Sequence, residues 1–139
     1  MSRNVLGIGL ATLVLSACLS SNAFAQPQMT PDAAARQWLF YVDGGDYVKG
    51  WERAGDLFKR QIAELDLRGK IAPVREPLGA IMMRRLIDVK LSSTMAGLPD
   101  GKYAVVQFNS SFAKKAAAVE TVALDSENDH WAVIGYFIK

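Results

Sequence analysis

Residues 99–139 read PDGKYAVVQFNSSFAKKAAAVETVALDSENDHWAVIGYFIK, and this stretch decides the fold class. Pro99-Asp100-Gly101 is a turn signal, because proline fixes its own φ, aspartate bonds its local backbone and glycine accepts a positive φ. Lys102 to Ala113 then reads as a strand and Ala116 to Leu124 as another. The polar turn Ser126-Glu127-Asn128-Asp129 leads into a last strand, His130 to Ile138. Working outward, Ala80 to Ser92 supplies one more strand before the Pro99 turn. The periodicity changes upstream of Ala80. Thr30-Pro31-Asp32 is a helix start, with a capping hydroxyl, a proline suited to the first position and an acid against the dipole. Ala34, Trp38, Tyr41 and Val42 form one apolar stripe, and Gly44-Gly45 ends it. Asp46 caps a second helix carrying Tyr47, Val48, Trp51, Ala54 and Phe58, with a break near Gly55-Asp56. A third stretch places Leu67, Ile71, Val74 and Leu78 on one face. Pro73 removes the N–H that would reach the Gly69 carbonyl, so a kink or early end is expected there. Helices first and neighbouring strands afterwards predict an α+β domain, with helices packed on a curved antiparallel sheet of about four strands.

The last strand is apolar on both faces. Strict alternation sends Trp131, Val133 and Phe137 one way and Ala132, Ile134, Tyr136 and Ile138 the other. A strand with one solvated face would alternate in polarity, so a central position is expected. Trp131 and Phe137 are then core residues, and a homodimer through the sheet is one way to cover the second face.

The N-terminus is of a different kind. Arg3 is its only charge, and Val5 to Leu19 runs VLGIGLATLVLSACL. These 15 residues fall short of the roughly 20 that a spanning helix needs. A basic start, a short apolar run and small residues make a secretory signal. Residues 1–25 are therefore expected to be a signal peptide, residues 26–29 a linker and residues 30–139 a single domain. Ala23-Phe24-Ala25 before Gln26 is an A-x-A cleavage site, making Gln26 the first residue of a secreted or periplasmic protein. Leu15-Ser16-Ala17-Cys18 offers the alternative, a lipobox in which Cys18 is lipidated to give an outer-membrane lipoprotein; only that route brings a membrane anchor. Cys18 is the sole cysteine of the 139 residues, so cleavage after Ala25 leaves a domain without disulfides, stabilised by burial alone.

Composition excludes more than it identifies. Sixteen basic residues face 14 acidic ones, which gives no basic footprint for nucleic acid. Residues 49–90 hold ten basic and six acidic side chains, in keeping with a solvated helical surface. The chain has one histidine, His130, and no H-E-x-x-H, C-x-x-C, nucleophile elbow or glycine-rich phosphate loop. No metal centre and no cofactor are expected.

Several stretches together are similar to one bacterial family. They are Arg75-Glu76-Pro77-Leu78-Gly79, Pro99-Asp100-Gly101-Lys102-Tyr103, Phe108-Asn109-Ser110-Ser111-Phe112-Ala113-Lys114-Lys115, Val119-Glu120-Thr121-Val122 and Trp131 to Lys139. The chain over residues 30–139 resembles domain of unknown function family 4019. Its opening, with Trp38, the Gly45-Asp46-Tyr47 turn, Trp51 and Leu57-Phe58, looks like that of NTF2-like (cystatin-like cone) domains. The resemblance implies an exported cone-shaped domain and no activity.

Some NTF2-like enzymes use an aspartate base with tyrosine donors inside the cone. The corresponding candidates here are Asp88 in the first strand, with Tyr103 and Tyr136 in others. General-base chemistry needs a desolvated carboxylate with a raised pKa. Period two puts Asp88 on one face with Arg84 and Lys90, which reads as a solvated ion-paired row. Glu120 shares its face with the apolar Val122 and Leu124. It is therefore at the rim or paired inward with Arg84, Arg85 or Lys115, with a ligand contact as the alternative. Trp38, Trp51 and Trp131 have the periodicity of core aromatics, although they could also line a cavity. The expected function is a non-catalytic exported domain that binds a small ligand or a protein partner in the cell envelope. A small acid–base or hydrolytic enzyme and a self-assembling envelope module are the alternatives. A buried, unpaired carboxylate would mark the enzyme, a filled interior with an apolar sheet face would mark assembly, and an open apolar cavity would mark ligand binding.

Overall fold

The computed structural model describes residues 27–139. The expected signal peptide of residues 1–25, the expected cleavage positions Ala25 and Gln26 and the lipidation candidate Cys18 lie outside the described residues. Four helices come first: α1 (Pro31–Asp43), α2 (Tyr47–Glu52), α3 (Asp56–Gln61) and α4 (Glu64–Arg75), followed by a 3-10 turn at Glu76–Leu78. Strands β1 (Ile81–Ser92), β2 (Tyr103–Phe112), β3 (Lys115–Glu127) and β4 (His130–Ile138) then form one antiparallel sheet in the order β1-β2-β3-β4. The fold is α+β, with the N-terminal helices packed on the sheet.

Thr30 has the extended backbone of an N-cap and Pro31 opens α1. The buried stripe of α1 is Ala34, Ala35, Trp38, Leu39 and Val42, with Leu39 in place of the expected Tyr41. Gly45 follows the helix at φ 71°, and the Asp46 N–H donates back to the Tyr41 carbonyl at 2.9 Å. That left-handed residue closes the helix so that the next can start at once. The Asp46 side chain accepts from the Lys49 N–H and caps α2. The break near Gly55 is real, and it has a function in the fold. Ala54 bridges Val133, and the Gly55 N–H donates to the Val133 carbonyl at 2.7 Å, which pins the start of α3 to the rim of β4.

Two expectations about α4 need correction. The helix does not stop at Pro73 but runs on to Arg75. Pro73 and Gly69 are both exposed, so water can take the carbonyl that the missing N–H would have satisfied. The buried face is Leu67, Ile71 and Arg75 at intervals of four, not a stripe through Val74, which is 52% exposed while Arg75 is 4% exposed.

The core lies between α1 and one sheet face. Trp38, Leu39, Val42, Phe58, Leu67 and Ile71 meet Ala104, Val106, Phe108, Val122, Leu124 and Val133 there. The buried Trp38 and the half-buried Trp51 both have partners for their indole N–H groups: Trp38 donates to the Gly50 carbonyl at 2.8 Å and Trp51 to that of Ile62 at 2.7 Å. On the opposite face, Val105, Gln107, Val119, Thr121 and Ala123 are only half-buried and Asn109 is exposed.

β4 is an edge strand and not a central one. Its pairing with β3 slips between Ala123 and Leu124, which leaves Ile134 as an extra residue between Gly135 and Val133. A bulge of this kind reverses which residues face the core from that point on. Trp131 and Val133 face the helices, and so do Tyr136 and Ile138, opposite Val122 and Glu120. Phe137 is turned outward and is 62% exposed, which overturns its assignment to the core. Trp131 does pack against the core, half-buried. The doubly apolar character of the strand comes from the bulge and from the helices beside its rim. Phe137→Ala is therefore expected to change unfolding stability by no more than about 0.5 kcal/mol, as surface substitutions do. Phe108→Ala, at a fully buried position, should cost about 3–5 kcal/mol. Urea denaturation of the two variants beside the parent checks both values.

Candidate functional site

Glu120 is completely buried in the middle of β3. One row of side chains crosses the inner sheet face from every strand: Arg84 of β1, Ser110 of β2, Glu120 of β3 and Tyr136 of β4. Glu120 Oε1 accepts from Arg84 Nε at 2.7 Å and from the Ser110 hydroxyl at 2.5 Å. Oε2 accepts from Arg84 Nη2 at 3.0 Å and from the Tyr136 hydroxyl at 2.7 Å. Four donors fill the acceptor positions a carboxylate offers. Arg84 reaches on to Asp43, the last residue of α1, through Nη1 to Oδ2 at 2.7 Å and Nη2 to Oδ1 at 3.0 Å. Arg75 of α4 also donates to Asp43 Oδ1, from Nη2 at 3.1 Å, and its Nη1 donates to the Gly79 carbonyl at 2.6 Å. Gly79 holds φ 78°, a left-handed conformation that presents this carbonyl at the entrance to β1. Two arginines and two acids thus form a closed, charge-balanced set joining two helices to all four strands.

The electrostatics follow the geometry. Burial alone would lower the pKa of Arg84, but its hydrogen bonds to Asp43 and Glu120 outweigh that and the net shift is upward. Burial, with the Glu120 charge and hydrogen bond behind it, raises the Tyr136 hydroxyl well above the usual phenol range. The Tyr136 ring stands edge-on to Trp38, centroids 5.5 Å apart, so the polar cluster is sealed by aromatic packing.

Of the four candidates from the sequence, the fold brings Glu120 and Tyr136 together and leaves the other two apart. Asp88 is exposed opposite Gln107, because β1 bulges between Leu86 and Asp88. That bulge also breaks the expected row of Arg84, Asp88 and Lys90: Arg84 turns inward and is not part of a solvated face. Tyr103 is buried near the far end of β2, and its hydroxyl donates to the Pro99 carbonyl at 2.6 Å, closing the turn. Asp43, Arg75 and Ser110 complete the cluster and were not singled out from the sequence. Asp43 had a signal, since an acid at a helix C-terminus opposes the macrodipole and needs a cation. Arg75 had one too, four residues after Ile71 on the apolar stripe.

A separate pair of acids lies at the end of the sheet. Asp125 Oδ1 has no hydrogen-bond partner, and Glu127 Oε1 accepts the Asp56 N–H at the start of α3 at 2.6 Å. Burial raises the Asp125 pKa to about 6, and the neighbouring Glu127 adds to the shift by its charge and as an acceptor for the Asp125 proton. Among the described residues, no group of three or more histidine, cysteine or acidic side chains is placed to hold a metal.

An open cleft runs beside the ion cluster, between α3–α4 and β4. One part, of about 250 Å³, is lined by Lys70, Ile71, Val74 and residues 136–139. The other, of about 300 Å³, is lined by Phe58, Gln61, Ile62, Leu67 and residues 134–137, and shares Lys70 and Ile71 with the first. Tyr136 belongs to both walls, with its hydroxyl turned away to Glu120.

Two outcomes follow from the charges. Glu120→Ala leaves Arg84 and Arg75 sharing the single carboxylate of Asp43, one buried positive charge in excess, and should cost about 3–5 kcal/mol, whereas the paired change Glu120→Leu with Arg84→Met keeps the charge balance and should recover most of that loss. Chemical denaturation of both variants measures the difference. For Asp125 the folded chain holds its proton more tightly than the unfolded chain. Its contribution to stability is therefore full below about pH 4 and lost as pH rises through about 6. Asp125→Asn should raise Tm at pH 7 and leave it unchanged near pH 4, which a pH series of thermal melts reads directly.

A family model described as a protein of unknown function (DUF4019) matches residues 34–136. Neither a curated protein nor a solved structure matches the chain.

Proposed function

The chain belongs to the DUF4019 family, and we propose that it is a non-catalytic domain, exported to the bacterial cell envelope and NTF2-like in fold, that binds a small ligand. One contrast carries this reading. The carboxylate at the centre of the fold is used up by four donors, while the apolar cleft next to it stands open. A general base needs a carboxylate able to leave its partners and accept a proton from substrate. Glu120 is held by Arg84, Ser110 and Tyr136 at every acceptor position, which opposes that role. The cleft has the mainly apolar lining and the few polar groups of a ligand site. Arg3, the apolar run to Leu19 and Ala23-Phe24-Ala25 support export with Gln26 as the first residue, and Cys18 supports the lipoprotein alternative.

Self-assembly is the second reading, favoured by the half-buried sheet face with Phe137 exposed at its rim. A homodimer or an envelope protein partner would use that surface. Native mass spectrometry of the full-length gene product, recovered from the periplasm of an expressing bacterium, separates the two readings. The expected result is a monomer starting at Gln26 that retains one non-covalent small molecule, which is lost on denaturation and absent from Val74→Trp, where the new ring fills the cleft. A dimer that carries no small molecule and dissociates on Phe137→Asp would replace ligand binding with assembly.

A further inference from the structure

We infer that Asp125 and Glu127 form a proton-operated latch on α3: a proton on Asp125 holds Glu127 against the first N–H of the helix, and its loss frees that end. α3 has six residues, too few to persist by its own hydrogen bonds. Phe58 is its buried residue, so its placement depends on what holds its two ends. Past its last residue the Trp51 indole N–H donates to the Ile62 carbonyl at 2.7 Å, and on the same side Lys59 Nζ donates to the Glu52 carbonyl at 2.9 Å. At its start Gly55 is bonded to Val133, and Glu127 Oε1 accepts the Asp56 N–H at 2.6 Å. That last bond ties the helix to a sheet side chain, and it depends on where the Glu127 carboxylate points.

Asp125 and Glu127 lie two residues apart on β3, so they share a face, and their carboxyl groups meet. Protonated, Asp125 donates to Glu127 and fixes it toward α3. Ionised, it sets a second negative charge beside Glu127, with the Asp56 carboxylate as a third, and its buried Oδ1 has no partner to offset the charge. The surrounding groups do not compensate. Across the ladder on β2, Tyr103 gives its hydroxyl proton to the Pro99 carbonyl, and Lys102 just before that strand is exposed. On β4, Ala132 pairs with Asp125 and the exposed His130 with Glu127, and Asp129 lies in the turn between. Among the described residues, neither Asp125 nor Glu127 forms an ion pair with a lysine, arginine or histidine. Burial first, and Glu127 second, raise the Asp125 pKa to about 6. The latch is therefore closed at acid pH and opens as pH rises through about 6. Phe58 and Gln61 of α3 belong to the cleft wall, so the latch also sets the shape of that wall.

Amide NMR of the isotope-labelled protein, in the form the expressing bacterium yields, tests the latch. The Asp56 amide proton should move upfield with a midpoint near pH 6 as its bond to Glu127 loosens. Lys59 and Ile62 donate their N–H groups to the Gly55 and Phe58 carbonyls and close the turns of α3. With the intrinsic pH dependence of exchange removed, protection of these two amides should fall about tenfold between pH 5 and pH 7.5. Asp125→Asn keeps a donor to Glu127 at every pH, so both signals should stay at their acid-pH values. Glu127→Ala removes the latch, so α3 should show the lower protection throughout. His130→Asn should retain the parental midpoint, which separates the transition from titration of the neighbouring histidine. Constant α3 protection in the parent would overturn the latch, and so would a transition that survives in Asp125→Asn or disappears in His130→Asn. Full, pH-independent protection of α3 in Glu127→Ala would overturn it as well.

Discussion

Placing a carboxylate in the middle of a sheet face with no exposure to water carries a desolvation penalty of several kcal/mol unless its charge is fully compensated. The rest of this structure is arranged around meeting that requirement. Arg84 must lie across the sheet from Glu120, so β1, β2 and β3 can have only one relative register. Arg84 has N–H donors beyond those that Glu120 accepts, and Asp43 ends α1 within their reach. Asp43 in turn faces two guanidiniums, and Arg75 therefore brings the end of α4 to the same point. Every element that bears on the cluster is held by a donor–acceptor geometry, and none of these groups can be shifted by one residue without leaving a charge stranded.

The constraint concerns uniqueness more than total stability. Apolar residues of similar volume in place of a buried ion pair are often neutral or stabilising. A one-residue slip of β3, however, would turn Glu120 to the open face and bring Thr121 inward. The cluster penalises that slip heavily, whereas an all-apolar row of valines and alanines would tolerate it better. The same arrangement bears on function. An interior filled by its own ion pairs leaves no room at its centre for a ligand, which is why the proposed ligand site lies at the flank, between α4 and β4.

Much of this was readable in the amino-acid order. Helix starts at Thr30-Pro31 and Asp46, the turns at Pro99 and Ser126 and the span of β4 along the chain depend on local backbone chemistry, which neighbouring residues determine. Glu120 was conspicuous because its strand neighbours on the same face are apolar, and Arg84 was among its expected partners. What escaped the sequence depended on register. The extra residues Ile134 and Ile87 are ordinary strand formers, and nothing in their chemistry marks a bulge; it arises from how two strands are matched across the ladder. One such residue exchanged Phe137 for Tyr136 in the interior, and the other separated Arg84 from Asp88. Val74 and Arg75 were misjudged for a related reason. Hydropathy favours the valine, and only the position of Asp43, distant in the chain, explains why the arginine is inside.

The clamp of Ala54 and Gly55 on Val133 has a consequence for how this protein behaves when crowded. A Cβ at position 55 would lie 2.8 Å from Glu127 Oε1 and 3.1 Å from Ala132 and Ile134, so a larger residue there would push these side chains back. The clamp occupies ladder positions at one margin of the sheet that another chain would otherwise use. At the other margin, β1 is interrupted by Met82 and Ile87, which lie outside its regular pairing. An open-ended fibre needs two compatible margins on each molecule, one to donate and one to receive. With one margin clamped at Val133 and the other irregular, stacking through strand edges is hindered at both margins.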